Sequence, residues 1–108
     1  MCLLGACAAP APTWRAQSAA LVDELAKQNA LTSFPQEYRN LLETYEHGEA
    51  VMHVHGNEQE ADVFYLLALQ KGSLLKSELL LHKQREAEAE RERIAAEAAR
   101  VEEERLAR

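Results

Sequence analysis

The chain has 108 residues and a formal net charge of −6 at neutral pH. That length suits one small domain. The acidic balance argues against binding nucleic acid or anionic lipid by charge, because both need clustered basic side chains. With three prolines, four glycines and much alanine, leucine and glutamate, the composition favours helices over strands. The sequence predicts an all-α protein, either a small three-helix bundle or a helical hairpin, with an overlong, charged C-terminal helix.

Residues 1–12 are uncharged and contain both cysteines of the chain. The four residues that end at Cys7, LGAC, resemble the lipobox of bacterial lipoproteins, and the Ala/Pro stretch behind them resembles the tether of that family. The resemblance implies that Cys7 is lipidated and that the chain is cleaved just before it. A signal peptide also needs a basic region and an apolar stretch of about 7–15 residues, but only six residues precede Cys7. We therefore expect lipidation only if the true start lies upstream of Met1; otherwise the cysteines are incidental.

Residues 13–82 are predicted to form the helical head. Thr13 is the expected N-cap of a first helix that runs from about Trp14 to Asn29. This helix has one apolar stripe, and Asn29 is the residue expected to end it. Breaks are expected only near 30–33 and near 56–57.

Ser33, Pro35 and Gln36 predict the start of the second helix, because serine three residues before glutamine is a capping box and proline is tolerated in a first turn. Gly48 lacks a side chain where a neighbouring helix could come close. Gly56 is the expected left-handed C-cap.

Asn57 is predicted to cap a third helix that continues to Arg108, since no proline interrupts it. Its first half is apolar on nearly every side. We therefore expect this half to be buried from more than one direction, beneath the first two helices.

Residues 83–108 form a separate charged segment with seven basic and eight acidic side chains. Five pairs at helical spacing are expected to support it by about 0.2–0.5 kcal/mol each: Glu88–Arg91, Glu90–Arg93, Glu97–Arg100, Glu102–Arg105 and Glu104–Arg108. One heptad column is apolar, namely Leu80, Ala87, Ile94 and Val101, while its complement holds Gln84, Arg91, Ala98 and Arg105. The pattern predicts a single solvated helix, or a weak coiled-coil contact, rather than a strong zipper.

Five residues are the expected helix-packing or partner-binding positions of the head: Tyr38, Tyr45, Phe64, Tyr65 and Ala68. The spacing of Gly56, Ala61, Tyr65 and Ala68 resembles the helical hairpin of tetratricopeptide repeats. That resemblance implies packing between small residues and aromatic rings, although one isolated repeat lacks the stacked neighbours that such repeats require.

Nearly the whole chain is also similar to an uncharacterised class of Gram-negative envelope lipoproteins. The features that carry this resemblance are the lipobox, the helix opening FPQEY, the Gly-x4-Ala hairpin and the charged Ala/Glu/Arg helix. In that class a helical hairpin leads into a long charged helix, and often into a peptidoglycan-binding domain of the outer-membrane-protein-A type.

No phosphate loop, H-E-x-x-H or CxxC motif occurs in the sequence. We expect no enzymatic activity, metal, cofactor, nucleic acid or small-molecule substrate. The leading hypothesis is a lipoprotein on the periplasmic side of the cell envelope that acts as a protein-interaction or spacer element. The alternative is a soluble cytoplasmic adaptor whose degenerate hairpin binds a peptide or self-associates.

Overall fold

A computed structural model describes residues 12–108 of the chain. Helices account for 91% of this range, and it contains no strand. The predicted all-α class is therefore confirmed. The chain divides into two compact units. The first ends at Ser77, and the second spans Glu78–Arg108.

Helix α1 spans Arg15–Lys27, close to the predicted bounds. The prediction of Thr13 as its cap is wrong, because Trp14 is the N-cap and no side-chain capping bond forms. Instead, the Trp14 backbone amide donates a hydrogen bond of 2.8 Å to the Asp62 carboxylate, 48 residues away. Asn29 follows the helix with a left-handed φ of 62°, which confirms it as the terminator.

A short helix, α2, occupies Ala30–Ser33, where a break was predicted. The predicted capping box is also wrong, because Ser33 belongs to α2 and Phe34 is the N-cap of α3, which spans Pro35–Ala50. The chain turns tightly here, since the Phe34 amide donates to the Ala30 carbonyl at 2.7 Å. Proline in the first turn of α3 is confirmed.

A π-helical turn, Val51–His55, extends α3 and was not predicted. Gly56 ends it with a φ of 66°, as expected for a left-handed C-cap. Asn57 then accepts a hydrogen bond of 3.0 Å from the Glu60 amide, while its own side-chain amide donates to the Glu60 carboxylate at 3.3 Å. Asn57 thus caps α4, Glu58–Ala107, as predicted.

The core of the first unit lies on one stripe of α4. Ala61, Tyr65, Ala68 and Leu75 are buried at helical spacing. Gly72 lies on the same stripe, where an added Cβ would come within 2.6 Å of the Leu21 side chain of α1. The remaining buried apolar residues of this unit are Leu21, Leu25, Ala30, Tyr38, Leu41 and Val51.

The expected cover of α4 by the first two helices is present, since Leu21 of α1 lies against Gly72 and Gly48 of α3 lies against Tyr65, but it is incomplete. Val63 is 63% exposed, Leu67 39% and Leu74 64%. Steps of four and seven place these three residues on one side of a helix, away from the buried stripe. Helices α1 and α3 of this small unit cover only part of the α4 surface, so an apolar face remains in solvent.

Every residue from 83 to 108 in the second unit is exposed. Three of the five predicted charge pairs form, namely Glu90–Arg93, Glu97–Arg100 and Glu102–Arg105. The other two do not: Glu104 binds Arg100 instead of Arg108, and no pair joins Glu88 to Arg91 among the described residues.

Candidate functional site

A polar cluster connects the helices of the first unit. Arg15 of α1 donates two hydrogen bonds to the Glu49 carboxylate of α3, from Nε at 2.7 Å and from Nη2 at 2.9 Å. The Tyr65 hydroxyl of α4 donates to the same carboxylate and also lies 3.6 Å from the Met52 sulfur. His53 lies at the edge of this polar cluster, and its Nε2 atom is 3.6 Å from a Glu49 carboxylate oxygen.

The Arg15 guanidinium sets the electrostatics of this cluster. Its bidentate hydrogen bonding lowers the pKa of Glu49 to about 2, against the opposing effect of partial burial. Burial, followed by the hydrogen bond to Glu49, raises the pKa of Tyr65. Glu49 is therefore an anion and Tyr65 a neutral donor at neutral pH.

These protonation states suit a structural clamp. A carboxylate with a pKa near 2 is a poor base, and its oxygens already accept hydrogen bonds from Arg15 and Tyr65. Across residues 12–108, no group of three His, Cys, Asp or Glu side chains is arranged to hold a metal ion. The cluster fixes α1, α3 and α4 together. The sequence offered no local signal for it, because Arg15 and Glu49 are 34 residues apart.

The predicted packing residues lie mainly at the contact between α3 and α4. Tyr65 and Ala68 are fully buried, and the Tyr45 and Tyr65 ring centroids are 5.6 Å apart. Phe64 packs against His47 with a centroid distance of 4.2 Å. Tyr38 is buried near the start of α3, where its hydroxyl donates to the Val22 carbonyl at 3.4 Å. Cys7, the predicted lipidation site, lies outside the described residues.

A surface groove of about 320 Å³ runs between α3 and α4. Lys71 lies at one edge, where its ammonium donates to the Asn40 amide oxygen at 2.6 Å and to the Thr44 hydroxyl at 2.8 Å. Phe64 and Leu67 supply the apolar lining, and the other lining residues are Glu43 and His47. The exposed face of Val63, Leu67 and Leu74 borders this groove, because Leu67 belongs to both.

Two depressions in the second unit, of about 450 and about 230 Å³, are lined by side chains of α4 alone. One helix cannot enclose a small molecule, because ligand pockets bury most of the ligand surface between walls. These two depressions are therefore parts of a helix surface rather than enclosed cavities.

Comparisons with protein families, with curated proteins and with solved structures give no match to this chain. Among the helices from residue 12 onwards, none combines the length and the apolar character needed to span a membrane.

Proposed function

We propose that the chain is a non-enzymatic protein-interaction and spacer element of the bacterial cell envelope, lipid-anchored on the periplasmic side. The observation that carries the interaction role is the exposed apolar face of Val63, Leu67 and Leu74 on α4. Single exposed aliphatic residues are ordinary, but three on one side of one helix form a contiguous surface.

A protein partner would gain from covering this face. Complete burial of one such side chain contributes roughly 1.5–3 kcal/mol, so three partly exposed residues offer a few kcal/mol before the cost of association. The adjoining groove provides polar positions that could orient the partner, with Lys71 and Glu43 of opposite charge. An apolar centre beside a polar rim is the usual composition of a protein interface.

The spacer role is supported by residues 83–108. All 26 of them are exposed, and their ion pairs lie within the same helix. At 1.5 Å per residue, the segment is roughly 39 Å long. Local pairing and high helix propensity allow such a helix to persist without burial in a core.

An in-cell photo-crosslinking experiment tests the interaction role. A benzophenone amino acid at Leu67 or at Leu74 should give the same discrete adduct with one envelope protein. The matched control is Glu46 on α3, which is exposed but does not belong to the apolar face. The adduct should disappear when Val63→Glu is added. Adducts that are equally strong from Glu46, or insensitive to Val63→Glu, contradict the proposal.

The membrane tether rests on Cys7 and is tested separately. The reading frame with its in-frame upstream DNA is expressed in a Gram-negative host with labelled palmitate. Label should be incorporated, retained in Cys2→Ser and lost in Cys7→Ser. No incorporation, or label that survives Cys7→Ser, contradicts lipidation at this residue.

The second candidate is a soluble cytoplasmic adaptor that binds a peptide through the hairpin of α3 and α4. The groove between these helices, about 320 Å³ in volume, is the observation that favours it. This candidate predicts no palmitate label, together with a crosslinked adduct to a cytoplasmic protein.

A further inference from the structure

We propose that Met52 is a redox-sensitive position, where a peroxide oxidises the thioether to a sulfoxide and thereby releases Tyr65 from Glu49. This oxidation is independent of the proposed function, since it involves contacts inside the first unit alone. Met52 carries the only sulfur atom of residues 12–108. It belongs to the π-helical turn Val51–His55, and such turns occur frequently at functional sites.

The Met52 side chain lies between the solvent and the core of the first unit. It is partly exposed, and it packs against the buried cluster of Val51, Ala61 and Tyr65. Partial exposure lets a small oxidant approach the residue. Contact with the cluster means that a change of polarity at the sulfur alters the packing of the core. A methionine on the open surface would lack this second property, and a fully buried one would lack the first.

The Tyr65 hydroxyl connects the Met52 sulfur to the polar cluster. It donates to the Glu49 carboxylate and lies 3.6 Å from the sulfur. A phenol has one hydrogen to donate, so the two acceptors compete for it. The thioether sulfur is a weak acceptor and the carboxylate is a strong one, so Glu49 holds this hydrogen bond in the reduced protein.

Oxidation changes the outcome of this competition. The sulfur lone pair attacks one oxygen of hydrogen peroxide, and an S–O bond forms as the O–O bond breaks. The hydroxide that leaves takes the proton of the transferred oxygen and becomes water, so the sulfur is oxidised and the peroxide is reduced. The product is a polar sulfoxide. Because the methionine side chain is flexible, its new oxygen can turn to the Tyr65 hydroxyl, the donor that the sulfur already contacts.

The polar cluster is built so that Tyr65 is its most easily lost member. Glu49 keeps two hydrogen bonds from Arg15 when Tyr65 turns away. Tyr65, in contrast, is the residue of α4 that reaches this carboxylate. Oxidation of Met52 would therefore leave α1 and α3 joined and would remove the hydrogen bond that holds α4 to them, while a polar oxygen enters the contact with Val51 and Ala61.

Peroxide treatment of the full chain with Cys2→Ser and Cys7→Ser tests this proposal. After millimolar hydrogen peroxide, peptide mapping by mass spectrometry should show one added oxygen at Met52. The melting temperature, followed by Trp14 fluorescence, should fall by roughly 4–8 °C, as for the loss of one hydrogen bond in a domain of this size. Trp14 is a suitable probe because it packs against the same cluster.

Met52→Leu is the matched control, because it keeps the apolar contact and Met1 but has no sulfur at this position. Peroxide should leave its melting temperature unchanged. Methionine sulfoxide reductases A and B, which act on the two sulfoxide epimers, should together restore the treated parent protein. The proposal is overturned if Met52 stays reduced where free methionine is fully oxidised, or if complete oxidation of Met52 leaves the melting temperature unchanged.

Tyr65→Phe tests whether the hydroxyl transmits the effect. The ring is retained, but its hydrogen bond to Glu49 is absent before oxidation, so peroxide should lower the melting temperature by less than half as much as in the parent. The partly exposed sulfoxide can accept hydrogen bonds from water in this variant. An equal fall in the parent and in Tyr65→Phe would show that Tyr65 is not released from Glu49, and it would overturn the proposed mechanism.

Discussion

Gly48→Ala is the substitution that examines the contact between α3 and α4 most closely. A Cβ at this position would lie 2.9 Å from Cε1 and 3.1 Å from Cδ1 of the Tyr65 ring, and 3.2 Å from Cβ of Phe64. The ring cannot turn into solvent to make room, because Tyr65 is fully buried and its hydroxyl is bound to Glu49.

Two opposing effects determine the magnitude. Replacing glycine with alanine inside a helix contributes about 1 kcal/mol of stability through helix propensity. Overpacking a tight contact costs about 1–3 kcal/mol. Because both neighbours belong to the packed side of α4, we expect overpacking to dominate and the protein to lose about 1 kcal/mol of unfolding free energy.

Trp14 fluorescence during urea unfolding is the appropriate assay. Trp14 is the only tryptophan, and it packs against the cluster of Val51, Ala61 and Tyr65 that the substitution disturbs. The control is the same change in a Tyr65→Leu background, where a smaller and more flexible side chain faces the new methyl group. There, Gly48→Ala should cost less or become stabilising.

The result that would refute this reasoning is a gain of about 1 kcal/mol from Gly48→Ala in the wild-type background. Such a gain would mean that helix propensity acts unopposed. The two helices would then not approach each other closely at Gly48.

Three further predictions concern the polar cluster and the charged segment. Since the Glu49 pKa is lowered to about 2 from 4.5, its stabilisation is present above about pH 4.5 and is lost as the pH falls toward 2. Glu49→Gln should flatten this acid dependence in urea unfolding at about pH 3 and about pH 6; an unchanged slope contradicts the clamp. Tyr65→Phe should cost about 1–2 kcal/mol and Tyr65→Ala about 3–5 kcal/mol of unfolding free energy, and a melting temperature within error of wild type would place the ring on the surface. Raising salt to about 1 M should reduce helicity by screening the ion pairs of residues 83–108. Arg100→Gln should weaken this salt response and Arg85→Gln should not, so equal responses contradict local pairing.

Local signals allowed several helix ends to be predicted correctly. Asn29 and Gly56 adopt the left-handed conformation that their residue types tolerate, and Asn57 caps α4 by accepting a hydrogen bond from the Glu60 amide. Each of these features depends on residues only a few positions apart. Gly48 was also identified as a close-approach position, because only a missing side chain permits such contact.

The predictions that were wrong depend on contacts between residues far apart in the sequence, or on how much of a helix its neighbours cover. Asp62 binds the amide at the start of α1, so Thr13 is not needed as a cap. The Ser33 side chain is of a type that caps helices, but the tight turn before Pro35 places Ser33 inside α2. The clamp of Arg15 and Glu49 joins residues that no local pattern relates. Val63 and Leu74 are apolar, and composition alone cannot show how much of a helix its neighbours cover.

The charged segment is expected to be a helix that the first unit does not need for its own stability. Residues 83–108 contain three sizeable aliphatic side chains, Ile94, Val101 and Leu106, and all three are exposed. No ion pair or hydrogen bond described for this segment reaches beyond α4. The proposed role of this segment as a spacer requires this independence.

Deletion of residues 83–108 is the most direct test of that claim. Urea unfolding of the shortened chain, followed by Trp14 fluorescence, should give an unfolding free energy within about 0.5 kcal/mol of the full chain, as for changes at exposed sites. A shortened chain that is unfolded, or less stable by several kcal/mol, would show that the segment is part of the folded core, and it would contradict the spacer role.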